Sequence, residues 1–106
     1  EYRVFVNIGT VIVSFGDKVT SDLFHGISSS EAGRLPNQIH EVALYKMDII
    51  NPAQNLDDLK SLPGNRLEAL KGDLKGFHSV RINSQWRIVF HWEANAAHDV
   101  QITDYH

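Results

Sequence analysis

An alternation of side chains near the C-terminus constrains the fold of this chain more than any other feature of its sequence. Between residues 85 and 92 every second position is apolar, and the members of this stripe are Trp86, Ile88, Phe90 and Trp92. Successive side chains of a β-strand point to opposite faces, so the pattern predicts a strand with one apolar face. The opposite face carries Arg87, Val89 and His91. Because a small domain needs large buried side chains, we expect the aromatic face to pack in the core and the Arg87 face to stay open.

The neighbouring segments predict further strands in antiparallel order. Asn83-Ser84 suits a tight hairpin turn between the alternating strand and an earlier one at 79–82. Another strand is expected at 97–103, and a shorter one at 67–70. The C-terminal half is therefore typical of a run of short strands joined by turns.

The N-terminal half changes to helical spacing after one strand. Residues 11–15 predict a strand, and Asp17 can cap a helix that runs to about Phe24. A second helix begins near Pro36, because apolar residues then recur at helical spacing, at Ile39, Ala43, Met47 and Ile50. A brief helical turn at 55–59 follows. This order predicts an α+β fold in which two N-terminal helices pack on one face of a twisted antiparallel β-sheet and the other face forms a cleft.

Composition excludes several kinds of site. The chain has 106 residues and no cysteine, which excludes a disulfide scaffold, a thiolate nucleophile and a cysteine-based zinc site. Its six histidines show no metal-ligand spacing, so neither a metal nor another cofactor is expected. No apolar run approaches the roughly 20 residues of a membrane helix, so no membrane partner is expected.

Positive charge is concentrated in one stretch, although the chain as a whole has a net charge of −3. Residues 60–91 contain only two acidic residues but six basic ones, which are Lys60, Arg66, Lys71, Lys75, Arg81 and Arg87. This is the only stretch suited to contact phosphate groups. An ordinary solvated surface is the alternative interpretation.

Three segments of the chain carry a family resemblance. They are 63–73 (PGNRLEALKGD), 79–88 (SVRINSQWRI) and the terminal Asp104-Tyr105-His106. In order and spacing they resemble the motifs of HigB-type toxins of the RelE superfamily. The resemblance runs from about Val11 to the C-terminus, which makes 11–106 a single toxin domain with a RelE-like fold. Members of the family usually begin near Val11, so we expect 1–10 to be an extension that arises from an early gene start, with an edge strand at 2–7 as the alternative.

The resemblance also implies an activity and partners. It implies a metal-independent endoribonuclease that cleaves mRNA in the ribosomal A site and thereby inhibits translation in the bacterial cytoplasm. It implies a helix-turn-helix antitoxin (HigA-like) encoded beside the toxin, through which alone the toxin would reach operator DNA. The alternative is a binding module that cleaves weakly and acts mainly as antitoxin partner and operon corepressor.

Cleavage of RNA by its own 2′-hydroxyl needs a general base, a general acid and cations that stabilise charge on the phosphate. His106 is the best candidate for the acid or the base, because imidazole titrates near neutral pH and the terminal carboxylate beside it favours the charged form. Tyr105 is expected to stack on a nucleobase or to orient phosphate. Asp104 is expected to hold His106 or Arg87 in place. A frayed terminus is the alternative for His106, and packing of the C-terminus onto the sheet is the alternative for Tyr105 and Asp104.

Arg87 is expected to clamp the phosphate, because a guanidinium group offers a rigid fork of donors. Lys71 can add a second positive charge, while Arg66, Lys75 and Arg81 are expected to contact the RNA backbone and to set affinity and salt dependence. His91 would share a strand face with Arg87.

Glu68 stands where some members of the family carry a histidine. A carboxylate there can act as the general base if its pKa is raised. It can equally pair with Arg87 or Lys71 and serve a structural role. Both interpretations remain open on the sequence alone.

Overall fold

In the computed structural model, which describes residues 2–3, 12–62 and 64–104, the alternating segment lies inside a six-stranded sheet. In chain order the strands are β1 (Tyr2–Arg3), β2 (Ser14–Phe15), β3 (Glu68–Ala69), β4 (Phe77–Arg81), β5 (Trp86–Glu93) and β6 (Ala96–Asp104). Their order across the sheet is β1-β2-β6-β5-β4-β3. The helices are α1 (Lys18–Phe24), α2 (Asn37–Ile50) and α3 (Asp57–Lys60), with 3₁₀ turns at Ala32–Arg34 and Gly72–Leu74. None of these helices combines the length and hydropathy that a membrane crossing requires.

The α+β fold class is confirmed, but the sheet is mixed rather than purely antiparallel. β2 runs parallel to β6, with Phe15 opposite Val100, whereas the other neighbouring strands are antiparallel. Turn signals could not indicate this direction, because most of the chain, rather than a hairpin, connects the two strands. The described chain has three helices rather than two, and the third, α3, lies in the segment predicted to form a brief helical turn.

The strand predicted at 11–15 is present in part. Ile12 forms a parallel bridge with Ala97, and Ser14–Phe15 forms β2. Tyr2–Arg3 pairs with β2 as an edge strand, and the rest of the alternative strand at 2–7 lies outside the described residues. The interpretation of 1–10 as an extension stays a prediction.

The capping and periodicity signals of the helices are confirmed. Asp17 caps α1, because its side chain accepts a hydrogen bond from the backbone N–H of Thr20 at 2.9 Å. The buried residues of α2 are the four of the predicted stripe, Ile39, Ala43, Met47 and Ile50. They share the hydrophobic core with Ile88 and Phe90 of β5, which are fully buried. The aromatic face of β5 therefore packs inward, as predicted.

A β-bulge keeps the apolar residues of β6 on the core side. Two residues of β6, Asp99 and Val100, face the single residue Phe90 of β5. Asp99 has a φ of 53°, and its N–H donates to the Ser14 hydroxyl at 2.9 Å. The extra residue shifts the alternation, so Ala97 and Val100 are both fully buried although they are three positions apart.

The hydroxyl of Thr20 connects α1 to β6, and its removal should destabilise the fold. Thr20 is fully buried, and its Oγ1 accepts a hydrogen bond from the backbone N–H of Ile102 at 2.9 Å. Thr20→Val keeps the shape of the side chain but leaves that N–H without its acceptor, so we expect the free energy of unfolding to fall by about 1–3 kcal/mol. Urea denaturation measures the change. Thr20→Ser should recover part of the loss, and a valine variant as stable as wild type would contradict the prediction.

Candidate active site

The face of the sheet opposite the core is built from β4, β5 and β6. Arg87 lies on this face between its cross-strand neighbours, Arg81 on β4 and Thr103 on β6. Val89 and His91 follow it on the same face of β5. Arg87 is nevertheless only 6% exposed, so the expectation of a fully open face was wrong at this position.

Arg87 is buried because its guanidinium group is bound from two sides. Nε donates to the Ser79 hydroxyl at 2.7 Å, and Nη2 donates to the carbonyl groups of Arg66 at 2.6 Å and of Ser79 at 3.3 Å. Ser79 is itself fully buried on β4. The guanidinium group therefore connects β5 to β4 and to the turn that precedes β3.

That turn, Gly64-Asn65-Arg66, presents three successive carbonyl groups to donors from other parts of the chain. Gly64 accepts a hydrogen bond from Lys46 Nζ at 3.1 Å, and Asn65 accepts one from the backbone N–H of Arg81 at 2.6 Å. Arg66 accepts from Arg87 and has a φ of 45°, in the left-handed region that costs energy for a residue other than glycine. The three hydrogen bonds fix the backbone that carries the exposed side chain of Arg66.

Lys46 is part of this arrangement, although no sequence motif indicated it. Its Nζ also donates to the carbonyl group of Arg81 at 2.7 Å. Burial lowers the pKa of Lys46, and the positive charges of Arg81 and Arg87 lower it further. One signal was available: counted along α2, Lys46 falls three residues after Ala43 and four before Ile50, on the buried stripe. A lysine in such a stripe indicates an internal partner for its ammonium group.

Two acidic residues lie on strands of the same sheet as Arg87, one on β3 and one on β6. Glu68 on β3 is opposite Ser79, and its Oε1 is 3.8 Å from Arg87 Nη2. Because the Glu68 side chain is 53% exposed, water weakens this ion pair. Asp104 at the end of β6 is opposite Trp86 and accepts a hydrogen bond from Gln85 Nε2 at 3.2 Å. The contact to Arg87 supports the ion-pair interpretation of Glu68, and its role as a base stays a prediction.

The other basic residues predicted to bind RNA differ in how far they are exposed. Arg66, Lys71 and Lys75 are exposed, and Arg81 is partly buried. Their side chains are accessible to an anion at the surface, and their contact with RNA stays a prediction. Tyr105 and His106 lie outside the described residues, so their predicted roles stay predictions.

His91 shares the strand face of Arg87 but lies apart from it. Four residues along a strand correspond to about 13 Å. The His91 ring packs against Phe77, with 5.1 Å between the ring centroids, and Nδ1 is 3.8 Å from Glu93 Oε2. His91 therefore belongs to the far end of the face. In the part of the chain that the structure describes, no group of three or more histidine, aspartate or glutamate residues could hold a metal ion.

We expect His78 to make the stability of the fold depend on pH. Its ring stacks on Phe90 on the core side of β4, at a centroid distance of 6.1 Å, and its buried Nδ1 has no hydrogen-bond partner among the described residues. Burial lowers the pKa of His78, and the nearby His91 lowers it further.

The direction of the pH effect follows from that lowered pKa. The unfolded chain takes up the proton first as pH falls below the ordinary histidine value of about 6.5. The free energy of unfolding should therefore decrease between pH 7 and pH 5, and less so in His78→Phe. Urea titrations at several pH values measure this difference, with the exposed His25→Gln as control. Equal slopes for wild type and His78→Phe would contradict the prediction.

Comparison with known proteins identifies similar chains. A family model described as the RelE-like toxin of the type II toxin–antitoxin system HigB matches residues 11–106. Toxin HigB-1 of Vibrio cholerae serotype O1 is 43% identical over 58 residues, which are 55% of this chain and 61% of that protein. An uncharacterized protein of Haemophilus influenzae is 30% identical over 69 residues, which are 65% of this chain and 68% of that protein.

A solved structure supports the fold. The chain is similar to one in the YoeB–YefM complex from Staphylococcus aureus, with a TM-score of 0.56 and 20% identity over 97% of this chain and 99% of that one. At this identity the similarity concerns the path of the backbone. The match to Toxin HigB-1 spans about three fifths of that toxin, 61% of its length.

Proposed function

Because the chain belongs to the HigB-like family of RelE-like toxins of type II toxin–antitoxin systems, we propose that it is an endoribonuclease that cleaves mRNA on the ribosome and so inhibits translation. The observation that carries the proposal is the convergence of two of the three sequence segments on Arg87. Arg66 and Glu68 come from 63–73, and Ser79 comes from 79–88 with Arg87 itself. Charged groups that are far apart in sequence thereby form one site.

The proposed reaction is attack by a 2′-hydroxyl on the adjacent phosphorus atom. The O2′–P bond forms as the P–O5′ bond breaks, a base takes the proton of the 2′-hydroxyl, and an acid protonates the departing 5′-oxygen. Cations stabilise the additional negative charge on the phosphate in the transition state. Acidic, basic and cationic side chains are sufficient for this chemistry.

Each side chain of the proposed site has a separate role. His106 is the proposed acid or base, and Glu68 is the second candidate for the base. Arg87 supplies positive charge at the floor of the site and holds the turn of Arg66, and direct contact with the scissile phosphate is the role that the family resemblance implies for it. We propose that Arg66 and Lys71, which are exposed, bind phosphates from solvent.

The ribosome and an antitoxin are the proposed partners. The chain offers few catalytic groups, so we propose that the ribosome positions the message and supplies the orientation that a larger enzyme would provide. Such a toxin acts in the cytoplasm. The proposed antitoxin is a helix-turn-helix protein that neutralises the toxin and carries it to operator DNA.

A second function is favoured by two observations at the same site. The carboxylate of Glu68 is exposed beside Arg87, and Arg87 itself is only 6% exposed, and both features reduce the attraction of phosphate. A protein with this site could cleave weakly and act mainly as antitoxin partner and corepressor.

One experiment separates the two functions. Primer extension on a translated reporter mRNA, with purified ribosomes, should show cuts at in-frame codons when the toxin is added, and expression without antitoxin should arrest growth. The same RNA without ribosomes should be cut poorly. Absence of both cuts and growth arrest would refute the endoribonuclease and leave the binding module.

A further inference from the structure

A cavity of about 470 Å³ opens beside Arg87 on the face of the sheet opposite the core. Thr103, the cross-strand partner of Arg87, lines it, and so does Val89, which is two residues from Arg87 on the same strand face. Two residues along a strand correspond to about 7 Å. The cavity is therefore continuous with the candidate active site, at a distance that one nucleotide can span.

One side of the cavity is apolar. It is formed by Leu70, Leu74, Phe77 and Val89. Leu74 is 46% exposed, so the wall offers apolar surface to an incoming group. A flat aromatic ring can pack against such a wall, and single-stranded RNA is commonly read by proteins that take up an unstacked base in this way.

The other side of the cavity is polar. Asp99, Gln101 and Thr103 line it. Asp99 is held in the bulge of β6, where the hydroxyl of Ser14 accepts a hydrogen bond from its N–H. Gly16 completes the wall: a Cβ atom at that position would come within 2.8 Å of Gln101 Oε1 and 3.1 Å of the Asp99 carbonyl oxygen. The absence of a side chain at residue 16 thus lets Gln101 lie close against the backbone.

The charges next to the cavity suit a nucleotide. Leu70 and Leu74 are followed directly by Lys71 and Lys75, and both lysines are exposed. A nucleotide whose base entered the cavity could place its phosphates against these cations. An apolar side chain of a protein partner would fit less well, because it would leave the polar groups of Gln101 and Thr103 without hydrogen-bond partners.

We propose that this cavity binds the base of one unpaired nucleotide next to the cleaved bond, and that Gln101 and Thr103 read the edge of that base. The inference rests on the proposed function and adds to it a determinant of sequence preference. In this proposal the groups around Arg87 cleave the RNA, whereas groups on β6 and in the 71–75 segment select the base beside the cleaved bond.

The test compares cut-site preference in matched variants. Gln101→Leu removes the hydrogen-bonding amide, and Leu74→Trp fills the cavity. The control is Gln38→Leu, the same replacement of glutamine by leucine at an exposed position of α2. Sequencing of the ends produced from translated mRNA should show that Gln101→Leu still cuts but discriminates about 2- to 10-fold less among bases at one position beside the cut. Leu74→Trp should change the preferred base, and Gln38→Leu should cut as wild type does. Circular dichroism verifies that each variant is folded.

Two results would overturn the base-binding site without overturning the proposed endoribonuclease activity. Cutting by wild type with an unchanged preference in both cavity variants would overturn the inference and leave the endoribonuclease. Loss of neutralisation by the antitoxin in Leu74→Trp, with unchanged preference, would assign the cavity to a protein side chain and also overturn the inference.

If wild type does not cut at all, the proposed function fails and binding is tested directly. Isotope-labelled protein is titrated with each nucleoside monophosphate and followed by NMR. Shifts confined to Phe77, Val89 and Gln101 would support a base site, and shifts elsewhere or none would refute it.

Discussion

Replacement of His106 by glutamine should lower the rate of mRNA cleavage on the ribosome by about 10²–10⁴-fold, which is the usual contribution of a general acid or base. Glutamine keeps much of the size and hydrogen-bonding capacity of histidine but cannot exchange a proton near neutral pH. The measurement is single-turnover cleavage of a ribosome-bound message, with His25→Gln as the matched control, since His25 is exposed at the end of α1. Growth arrest on expression should be relieved in parallel.

Glu68→Gln completes this experiment. If Glu68 only forms the exposed ion pair with Arg87 at 3.8 Å, its replacement should change the rate by a factor of about 5 or less. If Glu68 is the base, the loss should be as large as that of His106→Gln. Undiminished cleavage by His106→Gln would contradict the assignment of His106 and transfer the acid/base role to Glu68, Tyr105 or His91.

Arg87→Met should be the most damaging single substitution in the described part of the site, because it affects stability and activity together. The methionine fills much of the same volume but leaves the Ser79 hydroxyl and the Arg66 carbonyl group without their charged donor. We expect the free energy of unfolding to fall by about 2–6 kcal/mol, since two acceptors are left unpaired and each costs about 1–3 kcal/mol. Cleavage per folded molecule should fall by about 10²-fold or more.

Two further variants show which role of Arg87 dominates. Arg87→Lys keeps the charge but cannot reproduce the fork of donors, so it should recover little of the lost stability. Arg34→Met, at an exposed position in the Ala32–Arg34 turn, should change stability by no more than about 0.5 kcal/mol. Urea denaturation and single-turnover cleavage are measured on the same preparations. An Arg87→Met protein that is inactive but fully stable would show that Arg87 serves the phosphate rather than the turn.

Local sequence patterns predicted the parts of this fold that depend on neighbouring residues. The alternation in β5 and the stripe in α2 were sufficient because each element buries one face, and the period of the apolar residues indicates which one. Asp17 was identifiable as a cap because the hydrogen bond it accepts comes from Thr20, three residues away. These features involve contacts within one turn or one strand.

Features that depend on distant residues could not be predicted in the same way. The parallel pairing of β2 with β6 joins Phe15 to Val100, and nothing within either segment specifies its direction. The bulge at Asp99 places a residue other than glycine at positive φ, which the sequence pattern does not indicate. The burial of Arg87 depends on hydrogen bonds to Ser79 and to the Arg66 turn, which are distant in sequence. The alternation in β5 therefore indicated the strand face on which Arg87 lies but not that its side chain is buried.

The pairing of β2 with β6 also determines when a newly made chain can acquire its structure. Phe15 lies opposite Val100, and the hydroxyl of Thr20 accepts a hydrogen bond from Ile102, 82 residues later. During synthesis, the segment that forms β6 is made after every other described element, so β2 and α1 are without their partner until β6 has left the ribosome. Closing so long a loop is entropically costly and slow. The sheet is therefore completed late, and α1 and β2 acquire their final contacts only once the strand made last is available to them.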